Sequence, residues 1–221
     1  MIEEEEGGKK VESVPPKPLE VNKAIRKSLE KINPKLDRLR NLDYIATGFT
    51  QEGIVTFREA VAGDYFGAFN HGTTLKLEGS AANYLGLNLT KGDIIVTKNT
   101  GDFTATYQSG GIIVVRGNCG NYTGQGMLGG ILFIEGNCGD FTGREMVDGE
   151  IIVVGDCGKN TGVGMKGGAI FVRGEIGGIG KGAKSVTLST KDKNHLQGIF
   201  KDFELDYHAK DFVKVVPGVK E

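Results

Sequence analysis

Two stretches of the chain have the spacing of a phosphate-binding turn. GQGMLGG at Gly124–Gly130 and GVGMKGG at Gly162–Gly168 both satisfy G-x-G-x-x-G, the pattern that lets a backbone turn approach a pyrophosphate at the start of a helix. Three cysteines, Cys119, Cys138 and Cys157, recur at a fixed interval of 19 residues and invite a metal test. His71, His195 and His208 are the only histidines. There is no G-x-S-x-G elbow, H-E-x-x-H or C-x-x-C pattern, and the acidic residues are scattered without an evident pair. No catalytic residue is assigned from the sequence.

The elements around the glycine motifs decide against a nucleotide. A dinucleotide fingerprint needs a strand, one turn, a full helix and an acidic residue about twenty positions on. Here a run of β-formers follows each motif at once, from Ile131 and from Ala169, and the intervening row carries Arg144, Glu145 and Asp148. GGIGKGAKS, at Gly177–Ser185, lacks the G-K-[ST] order of a P-loop. The motif glycines Gly120, Gly124, Gly126, Gly129, Gly139, Gly143, Gly158, Gly162, Gly164 and Gly167 are therefore read as structural corners.

Glycine is the compositional outlier, 36 of 221 residues, about twice the usual ~7%. Rows of 19 starting at Gly53 align the chain without an insertion for about seven rows. One column reads Cys119, Cys138, Cys157; another reads Tyr65, Tyr84, Phe103, Tyr122, Phe141, Asn160; a third reads Leu89, Gln108, Met127, Met146, Met165. A short fixed period means a solenoid. Each row from Gly72 has one β-forming run and several glycines, which leaves no room for a ten-residue helix. The expected fold is all-β: a single-stranded right-handed parallel β-helix of about seven coils with short flanking helices, its equivalent residues stacked at about 4.8 Å.

Stacking constrains the chemistry of each column. The first and third cysteines would be near 9.6 Å apart, beyond the roughly 4.6 Å span of two thiolates on one zinc. A neighbouring pair is close enough for a disulfide, but a reducing compartment would keep it open; the simpler reading is small inward residues filling a corner. Asn118, Asn137 and Asp156 read as a side-chain ladder serving the corner backbone. Alternation along each strand sends the column Ile95, Val114, Phe133, Ile152, Phe171 outward. So long an apolar stripe needs a cover, either the chain's own flanks or a partner protein that docks there. In the next column Glu78, Thr97, Arg116, Glu135, Val154 and Arg173 mix signs in a way that suits cross-strand pairing.

The flanks read differently. Residues 1–18 are acidic and then proline-rich, an expected flexible arm. Residues 19–52 read as a helical N-terminal cap, with one stripe at Val21, Ile25, Leu29 and Ile32 and a second helix through Leu36, Leu39 and Leu42. Residues 53–180 form the repeat domain. Residues 181–221 read as a C-terminal cap and tail, with a short helix at Lys191–Phe203 and an extended segment at Phe212–Val216. Net charge is −1, which gives no support to nucleic-acid binding. No apolar run approaches the twenty or so residues of a membrane span, and no signal segment is seen, so a cytoplasmic protein is expected.

The blocks FGAFNHGTTLKLEGSAANYLG (Phe66–Gly86), GNCGNYTGQGMLGG, GNCGDFTGREM and GDCGKNTGVGMKGGAIFVRG resemble the G-x-G-x-G domain, the C-terminal β-helix of the glutamate synthase large subunit. More distantly they are similar to the scaffold subunit of formylmethanofuran dehydrogenase. The likeness covers about residues 50 to 180. It implies a non-catalytic scaffold in a glutamine-dependent oxidoreductase, with amidotransferase and synthase subunits as partners. FMN and the iron–sulfur cluster would sit on those partners, with no cofactor or metal on this chain. The alternatives are the same scaffold role in a formylmethanofuran dehydrogenase complex and, of a different class, an autonomous hydrolase; a homo-oligomer is compatible with any of these readings.

Overall fold

The computed structural model describes Asn22, residues 35–37 and residues 40–218. Among the described residues, eleven strands form one continuous sheet that winds into a parallel β-helix of about seven turns. In chain order they are β1 (Lys35–Asp37), β2 (Arg40–Leu42), β3 (Gly53–Ala62), β4 (Thr73–Ala81), β5 (Asp93–Val96), β6 (Ile112–Val115), β7 (Leu128–Ile134), β8 (Asp148–Val153), β9 (Ala169–Val172), β10 (Ala183–Val186) and β11 (Val213–Pro217). From β4 to β9 each strand pairs in parallel with the next, Ile94 opposite Ile113, Ile113 opposite Leu132 and Ile151 opposite Ile170. These inward aliphatic side chains are fully buried and form the main core with Leu75, Val96, Val115, Ile134, Val153 and Val172.

The 19-residue phase is not perfect, and it slips within β3. Val55 pairs with Leu75 and Phe57 with Leu77, an offset of one more residue than Ala60 with Gly79. The insertion-free alignment from Gly53 is corrected accordingly: β3 carries a bulge between Phe57 and Ala60, with Glu59 at φ 46°. Gly79 is required opposite it, because a Cβ there would overlap the carbonyl of Ala60.

The expected second N-terminal helix is also corrected. Leu36 and Leu42 lie in β1 and β2, which pair in parallel with β3, so the coil stack starts before residue 53. Tyr44 stacks on Tyr65 at 4.6 Å, extending the aromatic column by one coil. That first coil is 21 residues from the next, Lys35 facing Thr56, and a search at period 19 passes over it. Leu39, the arm at 1–18 and the stripe at Val21, Ile25, Leu29 and Ile32 lie outside the described residues. Asn22 is helical and buried. Its Nδ2 donates to the Tyr44 carbonyl and its Oδ1 accepts from Ala46 N, both at 2.7 Å, standing in for the coil that would otherwise satisfy those backbone groups.

At the other end the tail reverses direction. Strand β11 pairs antiparallel with β9, and β10 antiparallel with β11, which ends the parallel stack. Between them lies helix α1 (Thr190–Asp202). Ser189 begins it with a capping box: its Oγ accepts from Asp192 N while Asp192 Oδ2 accepts from Ser189 N.

Candidate functional site

The outward stripe is the candidate docking surface, and the structure shows what lies on it. Phe133 and Ile152 are fully buried, Phe171 and Val114 nearly so, and Ile95 is partly buried against them. Their cover is Leu196, Ile199 and Phe200 of α1 together with Leu188, Ala209 and Phe212. Phe200 meets Phe133 edge-on at 6.5 Å and lies 5.3 Å from Phe212. Partner docking on Ile95, Val114, Phe133, Ile152 and Phe171 is thus corrected: the chain's own C-terminal segment fills that place. Helix α1 has one apolar face in a polar sequence, and burying it against the stripe removes both from water.

Polar ties hold the same segment. Lys214 Nζ donates to Asp192 Oδ1 at 2.6 Å, and His195 Nε2 lies 2.8 Å from Glu150 Oε2 on β8. The Asp192 carboxyl is lowered from its ordinary 3.8 to about 2, first by the Lys214 bond and then by the Ser189 hydroxyl. Arg173 lies over the Tyr207 ring at 5.7 Å, and Lys214 over Phe171 at 5.4 Å. The sequence places His195 only in a polar tail; its partner is 45 residues away and no local pattern announces it. His71 is a coil-junction residue, its Nδ1 2.5 Å from Thr90 Oγ1.

The glycine motifs lie at coil corners, and each glycine meets a neighbouring coil. The oxygens Asp102 Oδ1, Asn121 Oδ1 and Asp140 Oδ1 occupy the space where Gly120, Gly139 and Gly158 would carry a Cβ. Those oxygens are engaged: Asn121 N, Asp140 N and Lys159 N donate to the preceding coil's side chain at 2.7–2.8 Å. Asn118, Asn137 and Asp156 form a second ladder of this kind, as their sequence column suggests. Gly124, Gly143 and Gly162 have φ near +70° and face inward side chains. Gly129 and Gly167 abut the carbonyls of Ser109 and Val147. Gly126 lies beneath the Tyr107 ring, and Gly164 touches only Glu145 Cγ, at 3.4 Å. Strand β7 begins within the first motif, at Leu128, and β9 follows the second at Ala169, so neither opens a helix.

The aromatic column forms a ladder. Tyr44, Tyr65, Tyr84, Phe103, Tyr122 and Phe141 stack at 4.6–4.9 Å with rings within 6° of parallel. All six have φ between 56° and 63°, a conformation costing about 1–2 kcal/mol for an L-residue, which ring stacking offsets in part. Tyr65, Tyr84, Phe103 and Tyr122 are each stacked on both faces, so these four rings offer a ligand only their edges.

The remaining polar features are shallow or isolated. An open cleft of about 340 Å³ over the β3 bulge is lined by Arg40, Glu59, Glu78, Ser80 and Lys98. Another of about 310 Å³ lies between α1 and the tail, lined by Lys193, Asn194, Gln197, His208 and Lys210. Gln108, fully buried among Leu and Met column mates, donates to the carbonyls of Gly110, Gly111 and Ile131, while its Oε1 has no partner among the described residues. Arg116 and Glu135, each just past the end of its strand, pair across neighbouring coils. The three thiols are buried and unbridged. That of Cys138 is held well above its ordinary value, first by hydrogen bonding with Cys119 and Cys157 and then by burial. Among the described residues, no group of three His, Cys, Asp or Glu converges on a single ion position, and no helix is long and apolar enough to cross a membrane. No family model and no curated protein sequence matches the chain.

Proposed function

We propose that this protein is a cytoplasmic, non-catalytic scaffold of a glutamate-synthase-like, glutamine-dependent oxidoreductase, holding separate amidotransferase and FMN/iron–sulfur synthase subunits in a fixed arrangement. The observation that carries the reading is the fate of the tandem glycine motif. Nine of the ten motif glycines are crowded by a neighbouring side chain or carbonyl, and the tenth, Gly164, has φ 69°, so the residues that bear the family resemblance work as architecture. Stacked rings and side-chain ladders further stiffen the stack along its length, as suits a spacer between catalytic parts. Reaction chemistry then belongs to the partners, and with it the flavin and the cluster.

The test is affinity purification of the tagged full chain from its own cells, with identification of the bound chains and of flavin and iron. Amidotransferase and flavin-containing synthase chains are expected. Recovery of the chain alone, monomeric at micromolar concentration, would overturn the scaffold reading. Molybdenum or tungsten subunits in their place would transfer the same role to a formylmethanofuran-dehydrogenase-like complex. Substituting Phe133→Asp with Phe171→Asp does not test docking, since those rings lie under α1.

A further inference from the structure

The inward column that contains the cysteines reads Ala81, Thr100, Cys119, Cys138, Cys157, Ile176. Its central members are stacked by backbone pairing: Cys119 N donates to Asn137 O and Cys138 N to Asp156 O, both at 2.8 Å, and Cys138 faces Cys157 across a parallel bridge. The coil pitch beside them is given by the rings three residues on, where Tyr122 and Phe141 are 4.9 Å apart. All three thiols are at most 6% exposed. Two metal–thiolate bonds of about 2.3 Å laid end to end span about 4.6 Å, close to that pitch. The geometry that rules out one tetrahedral ion therefore suits linear, two-coordinate ligation between successive coils. Thiolates in such a setting select soft ions, Cu(I) above all.

A second observation points at one of these sulfurs, that of Cys119. Thr104 Oγ1 donates to Thr100 Oγ1 at 2.8 Å, and Thr100 Oγ1 donates to Cys119 Sγ at 3.2 Å. Both threonines are buried. A buried hydroxyl relay that ends on a sulfur stabilises its anionic form and fixes its orientation, as outer hydrogen bonds do for metal ligands.

We propose that the cysteine ladder binds a soft monovalent d¹⁰ cation, Cu(I) or Ag(I), with two ions threaded between the three thiolates and Cys138 bridging them. On loading, three S–H bonds break, four metal–sulfur bonds form and three protons leave to solvent. The cluster carries one net negative charge, and no atom changes oxidation state. Thr100 is a positioning residue for the Cys119 sulfur.

The test titrates the reduced full chain, under anaerobic conditions, with Cu(I) as its acetonitrile complex. Native mass spectrometry reads the stoichiometry, the near-ultraviolet thiolate-to-metal band reads the ligands, and circular dichroism reads the fold. Wild type should load about two ions with its β spectrum unchanged. Cys119→Ser and Cys157→Ser should each load about one ion. Cys138→Ser should load none, because the remaining thiols are two coils apart, as should the triple serine variant. Ag(I) should reproduce the series. Loading of Cys138→Ser equal to wild type, wild type binding no more than the triple variant, or uptake only with loss of the β spectrum would each overturn the proposal.

Discussion

A methyl group added at Gly124 would press on Cδ1 of Ile151, and that collision gives a quantitative test of corner packing. Gly124 has φ 71°, so alanine there costs about 1–2 kcal/mol in backbone conformation, offset by about 0.4–1 kcal/mol from the stiffer unfolded chain. The overlap adds about 1–3 kcal/mol of overpacking. Gly124→Ala should therefore destabilise by about 1–5 kcal/mol, from these same terms. Ile151→Val, which deletes the obstructing methyl, should cost about 0.5–1.5 kcal/mol alone. Combined, the two should fall short of their sum by about 1–2 kcal/mol, as expected for residues in contact. The column itself supports this: Gly67, Gly86, Gly124 and Gly143 each face an isoleucine, whereas Ala105, at φ 61°, is the column member whose equivalent neighbour is Leu132. Urea denaturation followed by far-ultraviolet circular dichroism is the assay, the chain having no tryptophan. Gly164→Ala is the control, because its Cβ would meet only Glu145 Cγ. Additivity within about 0.5 kcal/mol, or equal losses at Gly124 and Gly164, would refute the corner-packing argument.

Phe200→Ala empties a fully buried site between Phe133, Tyr207 and Phe212 and should cost about 3–5 kcal/mol. Hydrogen exchange should quicken across α1 and the tail while β4–β8 stay protected; uniform quickening would show that the cover and the coil stack unfold as one unit. The Asp192–Lys214 tie has a defined pH window. The folded carboxyl is depressed to about 2 from 3.8, so its stabilisation is whole above the unfolded value and is lost as pH falls through the folded one. Protection of α1 should drop between those values in wild type, and Asp192→Asn should be weaker at neutral pH and flat across the window. An unchanged acid profile in Asp192→Asn would place the effect on another group.

How much of the fold is legible depends on whether the relevant partner sits one coil away or across the molecule. Val115, Ile134 and Val153 recur in phase with the coil, so a column test on the sequence finds their stacking. Asn118, Asn137 and Asp156 are visible for the same reason. The companion ladder through Asp102, Asn121 and Asp140 has the same spacing, and the alternation of acid and amide hides it. The first coil escapes a column test because its offset from the second is longer than the repeat, and Leu36 and Leu42 happen to fit a helical spacing as well.

The sequence by itself determined the parallel stack, the corner role of the motif glycines and the inward thiol column, because a fixed repeat forces every residue onto its equivalent at one strand spacing. It also showed that the stripe through Phe133 and Phe171 required a cover. Only the tertiary structure decided that α1 supplies that cover, that His195 meets Glu150, and that the tail reverses to pair with β9. These contacts join segments far apart in the chain and outside the repeat, so their pairing is selected by the apolar area and charge the folded stack presents.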